Sequence, residues 1–136
     1  MRDLNATRNH ARRQVRFTSR PQCAAEARDA AAAFLAGLHP TPSPHTRQDL
    51  ILVVSELVTN AMRHAGAVSG MSLVAERRVL QVRVEDPGPA RPQGRSPDLT
   101  GRRGGFGWPM IQRLARAVAV RPKPDGGKTV LVTLAR

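Results

Sequence analysis

Glu56, Asn60 and His64 stand four residues apart within ILVVSELVTNAMRHAG, residues 51–66. At 3.6 residues per turn, this spacing stacks an acid, an amide and an imidazole in one row along a helix. A carboxylate in such a row can take a proton or orient a water or hydroxyl. The amide oxygen one turn on is a hard neutral ligand, suited to a Mg²⁺ that is held mainly by phosphates and water. The same spacing also fits a plain helix edge bonded to nearby backbone, and the row alone does not separate the two.

Three further stretches carry residue types that matter for chemistry. In VEDPGPA (84–90), Asp86 stands where an apolar run ends and Pro87-Gly88 turns the chain. In GRRGGFGWPMI (101–111), Gly104, Gly105 and Gly107 let backbone come close to a ligand. A helix opening there would turn its free N–H groups toward an anion. A glycine loop by itself is only a flexible turn. In DGGKTV (125–130), Thr129 falls at the start of a final strand, which alone marks no more than a hairpin.

The elements that must position these residues follow from periodicity. QVRFTS (14–19) alternates and predicts a short strand. Pro21 then opens an Ala-rich helix that runs to about Leu38, with Gly37 at its end. HPTPSPH (39–45), with three prolines, predicts a connector. The helix carrying Glu56 spans about 46–65 and stops near Gly66, with Leu50, Val54, Leu57, Val58 and Ala61 as its apolar stripe. Two strands follow at about 71–76 and 79–85, with Arg77-Arg78 at the turn. Residues 87–105 are almost all Pro, Gly, Arg and polar, and predict a long loop of the functional or mobile kind. A third helix opens near Gly107, and AVAVRP and KTVLVTLA close the chain as two strands. The order β-α-α-β-β-loop-α-β-β predicts an α/β (α+β) two-layer sandwich: a mixed, mostly antiparallel sheet with helices on one face.

Composition narrows the class. At 136 residues and 40% hydrophobic content, one core is expected, with 14–136 as the domain and 1–13 as a flexible basic extension. The single cysteine, Cys23, excludes an internal disulfide, and no apolar run reaches the roughly 18 residues that span a membrane. No apolar stretch of a secretory signal follows the first residues, so a cytoplasmic protein is expected. The net charge is +12, and 20 of the 22 basic residues are Arg. That charge favours anionic partners. The arginines lack the interleaved aromatics that single-stranded nucleic acid stacks on, so nucleic acid is not the expected partner.

Taken in this order, the four segments resemble the ATP-binding boxes of the gyrase, heat-shock chaperone and histidine-kinase ATPase superfamily. ELVTNAMRHA looks like its N box, VEDPGPA like its first glycine box, GGFGWPMIQRLA like its second, and GKTVLVTL like its terminal strand. Size and SELVTNAMRHAG look most like the anti-sigma factor serine/threonine kinases of actinobacteria. The resemblance implies ATP and Mg²⁺ as cofactors. It implies that Glu56 is the general base, that Asn60 holds the metal, and that Asp86 reads the adenine amino group with Gly88 allowing close approach. His64 continues the N-box row. Gly104, Gly105, Phe106 and Gly107 would line the phosphate end, which an arginine such as Arg103 could reach, and Thr129 would lie near the adenine. Trp108 would either cap the pocket or join the core.

Two departures stand out. Ala90 replaces a usual glycine, and Trp108-Pro109 replace a leucine and a polar residue. The implied partners are a sigma factor and an anti-anti-sigma protein of the STAS type, and a homodimer is left open. The competing reading is a nucleotide-dependent protein-binding module that transfers no phosphate. A histidine-kinase fragment is weaker, because no helix carrying a phosphorylatable His precedes residue 14.

Overall fold

A computed structural model describes residues 14–88 and 107–136. The expected extension 1–13 and residues 89–106 of the expected loop lie outside it, and with them Ala90, Arg103, Gly104, Gly105 and Phe106. The elements are β1 (Val15–Ser19), α1 (Ala24–Ala36), α2 (Pro44–Ala65), β2 (Gly70–Ala75), β3 (Val79–Asp86), α3 (Gly107–Leu114), β4 (Ala117–Pro122) and β5 (Lys128–Ala135). Their order is the one expected from the sequence. Among the described residues the strands form one sheet in the order β1-β2-β3-β5-β4, and every pairing is antiparallel. The last hairpin therefore inserts β5 beside β3 and leaves β4 at the edge.

The helices cover one face of this sheet. In a strand alternate side chains share a face. Leu80, Val82, Val84 and Asp86 of β3 therefore point the same way as their register partners Leu134, Val132, Val130 and Lys128 of β5. These aliphatic residues are buried, together with Leu73 of β2 and Ile111 of α3. Helix α2 lies against β3 and β5 through Leu50, Val53, Val54, Leu57, Val58 and Ala61. Burying one such Leu or Val contributes about 1.5–3 kcal/mol. A Leu57→Ala change would lose about 2–5 kcal/mol once the cavity is included. That stripe fixes the rotation of α2, and so fixes where its polar row emerges.

The ends of α2 are set by local chemistry. Ser43 caps the start, its hydroxyl accepting from the Thr46 N–H at 3.1 Å. Pro44 is the first helical residue, where its missing N–H costs nothing, so the helix begins inside the stretch expected to be connector. Gly66 ends it at φ 78°, a left-handed conformation that suits glycine, and donates to Met62 O at 3.1 Å. No helix among the described residues is long and apolar enough to cross a membrane.

Candidate functional site

The row on α2 runs along the border of its buried stripe. Glu56 and Asn60 are half-buried, and His64 is exposed. Two glycines from distant parts of the chain press against this helix. A Cβ built on Gly107, at the start of α3, would overlap Oε2 of Glu56 and fall 2.7 Å from its Cδ. A Cβ on Gly88, just after β3, would fall 2.8 Å from Cβ of Ala65. At Gly88 the neighbour is an alanine Cβ that cannot swing away, so close approach there requires glycine; at Gly107 the neighbour is the end of the flexible Glu56 side chain, which a Cβ would displace. Glu56 and Ala65 are nine residues apart, roughly 13 Å along a helix. Between them, Leu57, Asn60, Ala61 and His64 form one wall of a pocket whose other wall is Val84, Asp86, Lys128 and Val130. The structure therefore brings Asn60, His64 and Asp86 into one cleft, with Gly88 at one end and Glu56 and Gly107 at the other.

Asp86 is 2% exposed, which no unpaired carboxylate tolerates easily. Its Oδ1 accepts from the Gly88 N–H at 2.9 Å and from Lys128 Nζ at 3.0 Å. Lys128, itself 4% exposed, also donates to the Gly88 carbonyl at 3.3 Å. Lys128 was not singled out from the sequence. The signal was there in the parity of β5: Lys128 alternates with Val130, Val132 and Leu134, so it faces the helices with them.

The same parity corrects the expectation for Thr129. It pairs with Glu85 and Arg121 on the open face of the sheet, away from the pocket. Trp108 is 8% exposed and packs into the core rather than lining the pocket. Pro109 falls in the first turn of α3, where it is tolerated.

The hairpin that delivers Lys128 is held by its own polar contacts. A Cβ on Gly127 would overlap the Asp86 carbonyl oxygen and lie 3.1 Å from Cα of Pro87, so only glycine lets β5 start this close to the end of β3. Asp125 Oδ1 accepts from the Gly127 N–H at 2.9 Å, and that bond is the main cause holding the Asp125 carboxyl below its ordinary value. Lys123 Nζ lies 2.9 Å from Glu85 Oε1, and this hydrogen bond is the main cause raising the lysine above its ordinary value.

Residues 17–134 match the histidine kinase-like ATPase domain. The chain belongs to this family. Curated relatives agree over nearly the full length. The anti-sigma F factor of Pasteuria penetrans is 36% identical over 132 residues, covering 88% of this chain and 87% of that protein. That of Bacillus licheniformis is 30% identical over 131 residues, covering 88% of each. That of Geobacillus stearothermophilus is 30% identical over 128 residues, covering 85% of this chain and 86% of that protein. Among solved structures, the SiaB–SiaC complex of Pseudomonas aeruginosa contains a chain of the same fold, with a TM-score of 0.54, 17% identity and 98% coverage of each chain. Membership of this ATPase family implies nucleotide binding.

The cleft offers donors and acceptors of the right kinds. Asn60 lines the cleft, and its side chain carries one neutral oxygen. Among the described residues no three His, Cys, Asp or Glu side chains cluster to cage a metal by themselves. A neutral amide oxygen is a donor that suits a Mg²⁺ carried on phosphates.

Proposed function

We propose that this chain is an ATP-binding anti-sigma factor that transfers a phosphoryl group to a Ser or Thr of a STAS-type anti-anti-sigma protein, and that it sequesters a sigma factor in the cytoplasm. The observation that carries the reading is the bracketing of one polar helix row by Gly88 at the Asp86 end and Gly107 at the Glu56 end. The near full-length likeness to anti-sigma F factors supports the regulatory part of the proposal.

In this reading each residue has one task. Asp86 accepts from the amino group of adenine, with Gly88 keeping the floor of the pocket thin. Asn60 holds Mg²⁺, which when bound supplies charge neutralisation at the phosphates. The backbone N–H groups at the start of α3 face the phosphate end. Gly107 leaves room for the Glu56 carboxylate, which takes the proton of the attacking hydroxyl. Phosphoryl transfer asks chiefly for positioning and charge, and these residues supply both.

The test is transfer from radiolabelled ATP to a partner recovered by pull-down with ATP and Mg²⁺. Label on a Ser or Thr of a STAS-type protein is the expected result. Retention of ATP and partner without label would leave a nucleotide-dependent binding module instead.

A further inference from the structure

The Asp86–Lys128 pair asks for an explanation beyond folding. An ammonium and a carboxylate are buried side by side at the end of a strand face that is otherwise aliphatic. Replacing such a pair by apolar residues commonly leaves a fold as stable or more so, so packing gives no reason to keep it. The pair also lines the pocket instead of being sealed behind it. Lys128 has three N–H donors, and among the described residues two acceptors meet them, Asp86 Oδ1 and the Gly88 carbonyl. Oδ1 of Asp86 takes both of the bonds described, which leaves acceptor capacity at Oδ2. The wall of the cleft therefore presents a hydrogen-bond acceptor next to a charged donor.

Resting on the nucleotide reading above, we propose that Lys128 is a second base-reading residue: its ammonium donates to ring nitrogen N1 of adenine while Asp86 accepts from the neighbouring 6-amino group. Adenine presents that donor and acceptor on adjacent atoms of one edge, in the complementary order to the wall. Lys128 thereby sets specificity for a base with an unprotonated N1, and Asp86 holds the ammonium in place.

The test compares ATP with 1-deaza-ATP, which keeps the amino group and lacks N1, by calorimetry on wild type and Lys128→Met. Wild type is expected to bind 1-deaza-ATP about 10- to 100-fold more weakly than ATP, the scale of one lost charge-assisted bond. Lys128→Met is expected to bind the two alike. A second measurement needs no variant. The chain has two lysines, Lys123 and Lys128, so ¹⁵N-lysine labelling gives two ammonium signals. The Lys128 signal is expected to shift with ATP and not with 1-deaza-ATP, while Lys123 stays in place with both. Equal binding of the two nucleotides by wild type, undiminished discrimination by a folded Lys128→Met, or an unmoved Lys128 signal would overturn the assignment and leave nucleotide binding intact. Tighter binding of GTP than ATP would overturn it in favour of a pair that reads the guanine edge. Absence of any nucleotide binding by wild type would overturn the nucleotide reading and this inference together.

Discussion

The two ends of the cleft are built differently. At the Asp86 end an ion pair is almost wholly buried, and Gly88 and Gly127 hold three backbone segments in contact around it. At the Glu56 end a half-buried carboxylate lies against the first residue of α3, at the border of the apolar stripe. Neither Asp86 nor Lys128 can be replaced alone without leaving the other's charge unpaired in a low dielectric. A residue at the second end can change its chemistry while the stripe beside it keeps the helix in place. Recognition and folding are therefore coupled at one end and separable at the other.

The largest expected effect lies at the coupled end. Asp86→Ala leaves the Lys128 ammonium buried without its partner, which should cost about 3–5 kcal/mol of stability. It should also weaken ATP binding about tenfold to a hundredfold. Urea unfolding of Asp86→Ala, Lys128→Met and the double variant sharpens the point. The double variant should lose clearly less than the sum of the singles, because it strands no charge. Additive losses would show that the two groups do not depend on one another.

Gly107→Ala comes next. Its Cβ would overlap the end of the Glu56 side chain, which must swing aside, at up to about 1 kcal/mol for a side chain pushed off its preferred rotamer. Glu56→Ala in the same chain should restore most of that stability by removing the obstructing atoms. Failure of the rescue in thermal unfolding would mean that the close approach is not what disfavours a side chain at Gly107.

Asn60→Ala should weaken ATP binding roughly tenfold with Mg²⁺ present, the scale of one lost polar contact. Without the metal it should change little. A loss of equal size in both conditions, read by calorimetry, would remove Asn60 from the metal.

The smallest effect concerns the hairpin that delivers Lys128. The folded-state value of Asp125 is lowered, so its contribution is present above the unfolded value of 3.8 and is lost as pH falls through the folded one. Asp125→Asn should lower Tm slightly at neutral pH, and the difference should shrink as pH falls below 3.8 and vanish once the folded carboxyl is protonated. A difference that persists in acid would assign the effect to something other than the carboxylate.

How much of this was legible in the sequence follows the range of each interaction. The polar row on α2 was legible because helical periodicity is local, and one stripe of aliphatics fixes the rest of the turn. The element order and the one-sided sheet followed from the same kind of pattern. Three prolines together read as loop, whereas Ser43 caps the helix and makes Pro44, the third of them, its first residue. The exchange of Thr129 for Lys128 has another cause. Parity along β5 gives the face of each residue, but the pairing of Asp86 with Lys128 joins strands 42 residues apart. No local pattern specifies that register. The contact of Gly107 with Glu56 is equally non-local: glycine before a helix was visible, and the side chain it makes room for was not.

The separable end gives the most direct test of the central claim, that Glu56 performs the chemistry and Asp86 the recognition. Glu56→Gln keeps the shape of the side chain and an acceptor oxygen but removes the base. Nucleotide affinity by calorimetry and phosphoryl transfer to the recovered partner should be measured on the same preparation of wild type and variant. Unchanged Tm and ATP affinity are expected, with transfer slowed about 10²–10⁴-fold. Equal rates of transfer by wild type and Glu56→Gln would contradict that claim.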